Sequence, residues 1–283
     1  MYFLEGPRLN LENLLVLSKV AQPHLSFKSL KELKRGYNAY LGQFQSNETL
    51  TDLTDPEVVR SEVDRHHLIT LFLQKSPLND LGQDTAISFA AMKGKRDAYS
   101  QIERAVKTIK SFDPVLGELL CLVINRIFLG ESERAGGGSS SGAIGCVWLN
   151  PRHNWTDQDF CEFLIHEFTH QLLFIDERRF GHYPEISEVE KPENFARSAI
   201  LNRERPLDKV VHSLVVAFEV LRFRERYFDL AHKTHLHPQA ASLQQSIDLT
   251  IRSLRSVPRH LLSERVWVLI ESVKKNGRTR FAI

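Results

Sequence analysis

TDQDFCEFLIHEFTHQLL, residues 156–173, is the stretch on which the reading of this chain turns. Thr156 followed three residues later by Asp159 is a helix start signal, because the two side chains can cap each other's backbone N–H groups. Along the helix, Phe160, Phe163, Leu164, Phe168, Leu172 and Leu173 supply apolar surface, so its polar residues should be walled by core. His166 and His170 are four apart and lie one above the other on one face. At that spacing two imidazoles reach a single cation at about 2.0–2.1 Å. Glu167, one step around the helix, completes an HExxH pattern and can take a proton from metal-bound water or orient a ligand.

Just upstream, Ala143 to Leu149 reads as a strand. A second strand over Arg126 to Leu129 is expected to pair with it antiparallel across the glycine-serine loop of residues 135–142. That loop reads as a flexible hairpin connection or, functionally, as a lid that orders over a ligand. Helical periodicity marks Leu9 to Val20, Phe27 to Gln45, Pro56 to Gln74, Arg96 to Lys110 and Pro114 to Ile127. The expected fold is therefore mainly α, of the α+β class: helix-rich, with a small antiparallel sheet beside the HExxH helix and a zincin-like core. Pro77, Asn79 and Gly82 break the pattern. They suggest a helical N-terminal region of residues 1–80 and a metal-bearing region of residues 81–283.

Two histidines do not hold a metal well alone, so a third ligand is needed. Asp176 stands where short-spacer zinc peptidases keep theirs, but Leu173 occupies the position of the glycine their bend requires, and Asp176 reads as a helix-end charge. Glu185, Glu188, Glu190 and Glu193 fall in a Pro-containing loop. His232, His235 and His237 have metal-like spacing but follow a charged segment and read as solvated surface. His212 is the strongest candidate. It sits in a run, residues 210–221, that is apolar except for His212, Ser213 and Glu219, and a polar group there needs a partner. Glu219, seven residues on, is placed to orient it.

HEFTHQLL (166–173), followed some forty residues later by RERPLDKVVHS (203–213), resembles the HExxH-type proteins of peptide-modification gene clusters, described as alpha-ketoglutarate-dependent peptide beta-hydroxylases. The resemblance covers roughly residues 140–225. It implies a mononuclear Fe(II) enzyme that hydroxylates side chains of a ribosomally made precursor peptide, with His166, His170 and His212 at the metal positions.

The chemistry is coherent with that resemblance. Three neutral imidazoles leave the metal more positive than the usual two-histidine, one-carboxylate set, which favours a dianionic keto acid. The far carboxylate of alpha-ketoglutarate suits a guanidinium fork, and Arg203 and Arg205 precede the His212 helix. Arg205, held extended by Pro206, is the better placed. Two other readings stand beside this one: a zinc peptidase with Glu167 as general base, and a non-catalytic peptide binder that keeps the site for structure.

Composition bounds the partners. With 283 residues, 42% hydrophobic and 25% charged, the chain can bury a substantial core. A net charge of +2 demands no nucleic acid, and zinc-finger pairs and long basic runs are absent from the sequence. Lys274, Lys275, Arg278 and Arg280 make a basic tail that reads as solvated or as a contact for an acidic peptide. Cys121, Cys146 and Cys161 have no metal spacing and suit reduced thiols in a cytoplasmic protein. Leu14 to Val20 is too short and too charged for a secretion signal, and no stretch is long enough to span a membrane. The N-terminal helices are the expected surface for a leader peptide. Removal of residues 1–75 without loss of peptide affinity, in a chain that still folds, would refute that assignment.

Overall fold

A computed structural model describes residues 1–73, 87–88, 96–228, 230 and 234–277. Helices dominate it: α1 (Tyr2–Ala21), α2 (Leu30–Leu41), α3 (Glu62–Leu73), α4 (Arg96–Phe112), α5 (Pro114–Val123), α6 (Asp157–Phe180), the short α7 (Ile186–Val189), α8 (Leu207–Tyr227), α9 (Ala240–Leu254) and α10 (Glu264–Gly277). A four-stranded sheet holds β1 (Glu57–Val59), β2 (Arg126–Leu129), β3 (Gly137–Ser139) and β4 (Cys146–Leu149), and a two-stranded hairpin holds β5 (Ala196–Arg197) and β6 (Glu204–Arg205). The proposed break around Pro77, Asn79 and Gly82 lies outside the described residues, as do His232, Arg278 and Arg280.

The sheet corrects one expectation. β2 pairs with β4 parallel, Ile127 opposite Val147, and the antiparallel partner of β4 is β3, giving the order β1-β2-β4-β3. Residues 130–145 are long enough to return along the edge as β3, turn, and place β4 between β2 and β3. The burial of both faces carried the signal: Ile127, Phe128 and Leu129, and Cys146 through Leu149, are all fully buried, a continuous apolar run typical of strands covered on both sides. Residues 137–139 of the glycine-serine segment form an edge strand. β1 occupies residues expected to be helical, and α3 begins only at Glu62, after Pro56 has set an extended start.

α6 is the axis of the molecule. Its start is capped reciprocally, Thr156 N and Oγ1 each donating to Asp159 Oδ2 at 2.8 Å and Asp159 N donating to Thr156 Oγ1 at 3.3 Å. From Gln158 to Asp176 nearly every residue is buried, because α1, α4, α5 and α8 all pack on it. α8 runs antiparallel to α6, since Glu162 meets Arg224 while His170 meets His212. Leu14 of α1 and Tyr37 of α2 join the same core cluster as Leu164 and Leu173 of α6. Among the described residues no helix is long and apolar enough to cross a membrane.

Candidate metal centre

Halfway along α6, His166, Glu167 and His170 line a cavity of about 410 Å³. Its other walls are β3 with the preceding Arg134, the segment Ile200 to Arg205, Lys209 and Ser213 at the start of α8, and Leu236 with His237. Gly137 allows β3 to lie this close to α6. A Cβ there would stand 2.3 Å from a ring carbon of Phe163 and 2.5 Å from the Trp148 carbonyl oxygen.

Three imidazoles, those of His166, His170 and His237, line this cavity, and that of His212 lies against His170. His170 Nε2 lies 3.2 Å from His166 Nε2, His170 Nδ1 lies 2.9 Å from His212 Nδ1, and His166 Nδ1 lies 2.8 Å from His237 Nε2. Donors bound to one cation at about 2.1 Å sit about 3.0–3.4 Å from one another, a spacing that the His166–His170 pair meets. The arrangement is a chain, however, because His166 and His170 each use both ring nitrogens. Among the described residues no three His, Cys, Asp or Glu side chains form a cage around one point. Presenting one nitrogen per ring to a single cation needs a turn about the Cβ–Cγ bond, a soft torsion.

The structure brings His166, Glu167 and His170 onto one cavity with Arg203 and Arg205, and sets His212 against His170. Glu167 is 3% exposed, accepts from Ser139 Oγ at 2.6 Å, and has Oε1 3.9 Å from His166 Nε2. Ser139 is fixed in turn by Gln171, whose Nε2 donates to its Oγ at 3.0 Å. Arg203 and Arg205 flank Glu204 on the β5–β6 hairpin, so their side chains share a face while that of Glu204 points the other way. The turn between the strands is shaped by Asn202 at φ 54°, whose side chain accepts from Arg197 Nε.

Three expectations are corrected. Glu219 does not orient His212: it accepts from the Met1 ammonium at 3.0 Å and from the N–H groups of Phe3 and Leu4. Seven residues share a face but climb about 10 Å along the axis, beyond a side chain's reach. Asp176 is no exposed helix-end charge, because α6 continues to Phe180 and places it fully buried, where it accepts twice from Arg265, at 2.8 and 2.9 Å, and lies 2.8 Å from His182. Burial alone would raise its pKa, but those hydrogen bonds overcome it and hold the carboxyl at about 2. His237 is not solvated surface: it is 5% exposed and part of the cavity wall.

The sequence offered one signal for His237, its spacing from His235. The missing information was tertiary: Asp159 Oδ1 accepts from the N–H groups of His235 and Leu236 at 2.7 and 3.0 Å and folds that segment onto α6. Glu185, Glu190 and Glu193 are exposed, and Glu188 pairs with Lys191 at 2.6 Å, so none of the four lines the cavity. The three cysteines are buried and free, and burial pushes the Cys121 thiol up to about 11 and the Cys146 and Cys161 thiols up to about 12, which makes them poor ligands.

No family model matches the chain, and a search of the curated proteins finds no match.

Proposed function

We propose that this chain is an Fe(II)- and alpha-ketoglutarate-dependent hydroxylase that acts on the beta carbon of side chains in a ribosomally made precursor peptide, through a zincin-like core. The observation that carries the reading is the run of close ring contacts from His166 through His170 to His212 beside a cavity onto which Arg203 and Arg205 open, with no acidic partner among the described residues. A guanidinium facing an imidazole-rich pocket, unpaired by carboxylate, is suited to an anionic co-substrate.

The donor set fits iron. Three imidazoles of borderline softness suit Fe(II) as well as zinc and leave positions for a chelating keto acid. Bound iron and keto acid would supply the oxidation, the keto acid being decarboxylated as dioxygen is consumed. This chain's own residues hold, orient and exclude. His166, His170 and His212 would be the ligands, Arg205 with Arg203 would bind the far carboxylate, and Phe163 and Leu236 would keep bulk water from the floor. Ser139 donates to Glu167 and fixes its direction, so Glu167 orients a ligand or the peptide and need not be the proton acceptor. The cleft between β3 and residues 200–205 is where the peptide would lie.

A zinc peptidase is the second reading, favoured by the approach of Glu167 Oε1 to His166. The deciding experiment is anaerobic: Fe(II) is added to the apoprotein and alpha-ketoglutarate titrated while the visible charge-transfer band of the chelated keto acid is followed. The band should saturate, vanish in His212→Ala and weaken about tenfold in apparent affinity in Arg205→Ala, the loss of one charge-assisted contact. Absence of the band in protein that binds one zinc, with peptide cleavage abolished by Glu167→Gln, would establish the peptidase instead.

A further inference from the structure

We propose that the cavity between α2, α5 and residues 52–55 is a second ligand site, in which the amine of Lys34 condenses with a small, uncharged aldehyde. The site shares no lining residue with the histidine cavity, so the proposal stands or falls independently of the metal reading.

The cavity has a volume of about 280 Å³, room for a chain of a few carbons. Leu30, Leu53 and Leu122 supply apolar wall. Lys34, also in the wall, is 4% exposed, and its Nζ donates to the Cys121 carbonyl at 2.9 Å and to the Ile124 carbonyl at 3.2 Å, closing the C-terminal end of α5. An ammonium carries three donors, and the amine has no third acceptor among the described residues. An exposed capping lysine gives its third N–H to water, whereas burial makes a leftover donor costly. A neutral amine, with two N–H groups and a lone pair, matches the two carbonyls. Burial accordingly holds the Lys34 amine down to about 7, against the opposing charges of Cys121 and Asp52. Its lone pair is then open to an electrophile at neutral pH.

Neither neighbouring group competes. Burial would lower the Lys110 amine, but its hydrogen bond to Asp55 prevails and keeps it raised and charged. Burial pushes the Cys121 thiol up to about 11, so it stays protonated. The lining also holds the exposed carboxylates Asp52, Asp55 and Glu118, which discourage an anion and leave an uncharged carbonyl compound with a short apolar tail as the fitting ligand. In the reaction Nζ adds to the carbonyl carbon while the π pair moves to oxygen. The two amine hydrogens then leave with that oxygen as water, and an imine remains; no oxidant or reductant is consumed.

The test uses butanal. Full-length protein is treated with about one equivalent of butanal and cyanoborohydride, which traps the imine as a secondary amine, and the adducts are mapped by peptide mass spectrometry. At about pH 7.5 Lys34 should be labelled at least about tenfold faster than any exposed lysine, because an ordinary lysine near 10.4 is only about one part in a thousand neutral there. The ratio of Lys34 to exposed-lysine labelling should fall as pH rises from about 7 to 9, since the exposed amines gain neutral form and Lys34 has little left to gain. Lys34→Arg keeps donors for both carbonyls and should lose the fast adduct alone. Should that variant not fold, the mapping and the pH ratio in the wild type still decide. Unlabelled Lys34 beside labelled exposed lysines, a ratio indifferent to pH, or a fast adduct that persists in folded Lys34→Arg would overturn the proposal. A Lys34 side-chain resonance that moves with butyrate and not with butanal would overturn it in favour of a carboxylate ligand.

Discussion

His170 on α6 and His212 on α8 face each other Nδ1 to Nδ1 at 2.9 Å, joining the two longest of the described helices beside the cavity. If both bind the same metal, added metal should stabilise the fold, since it binds the native arrangement and not the unfolded chain. Thermal melts with and without zinc check this. His212→Ala should weaken binding about 100-fold or more, shrinking the metal-induced stabilisation by about 2.7 kcal/mol at a fixed metal excess. An equal metal-induced shift in both proteins would remove His212 from the ligand set.

Asp176 fastens α6 to α10 through Arg265, so Asp176→Asn should destabilise the protein by about 3 kcal/mol, the usual cost of breaking a buried pair. The folded carboxyl sits at about 2, below its ordinary 3.8. Its contribution is therefore fully present above the ordinary value and fades as pH falls through about 2. Urea unfolding at a series of pH values should show a constant gap between variant and wild type near neutrality, closing below about pH 4.

Glu177 has the opposite sign. Burial, reinforced by the neighbouring Asp208, raises its carboxyl from 4.5 to about 7. The folded state then holds a proton that the unfolded chain releases, so stability from this group is present below 4.5 and lost as pH rises through 7. Glu177→Gln is expected to stabilise the protein at pH 8 by roughly 1–3 kcal/mol and to have almost no effect at pH 4. Equal effects at the two values would refute the assignment.

Gly137→Ala tests the seating of the edge strand. The new methyl would meet the Phe163 ring and the Trp148 carbonyl, and the latter belongs to a central strand that cannot retreat. A cost of about 1–3 kcal/mol is expected from overpacking. The shift should also lengthen the Ser139–Glu167 hydrogen bond and, if the proposed hydroxylase reading holds, lower turnover, measurable as a fall in rate larger than any change in metal affinity.

Much of α6 was legible in advance. The capping pair Thr156 and Asp159, the apolar residues around His166 and His170, and the buried run holding His212 are local patterns, and local patterns survive folding. What failed was pairing at a distance. Strand direction in β2 and β4 depended on where residues 130–145 go, Glu219 was claimed by the chain start, and His237 was buried by contacts from Asp159 and Glu162 more than seventy residues away. Periodicity reports which face of an element is apolar. It does not report which distant group will arrive to cover a polar one.

Enclosure of α6 by α1, α4, α5 and α8 divides the molecule into parts with unequal freedom to change. A substitution on that helix strikes neighbours on every side, so natural variants there should be scarce. Leu201, Asn202, Arg203 and Glu204 are exposed at the tip of a two-stranded hairpin, where replacements disturb little packing.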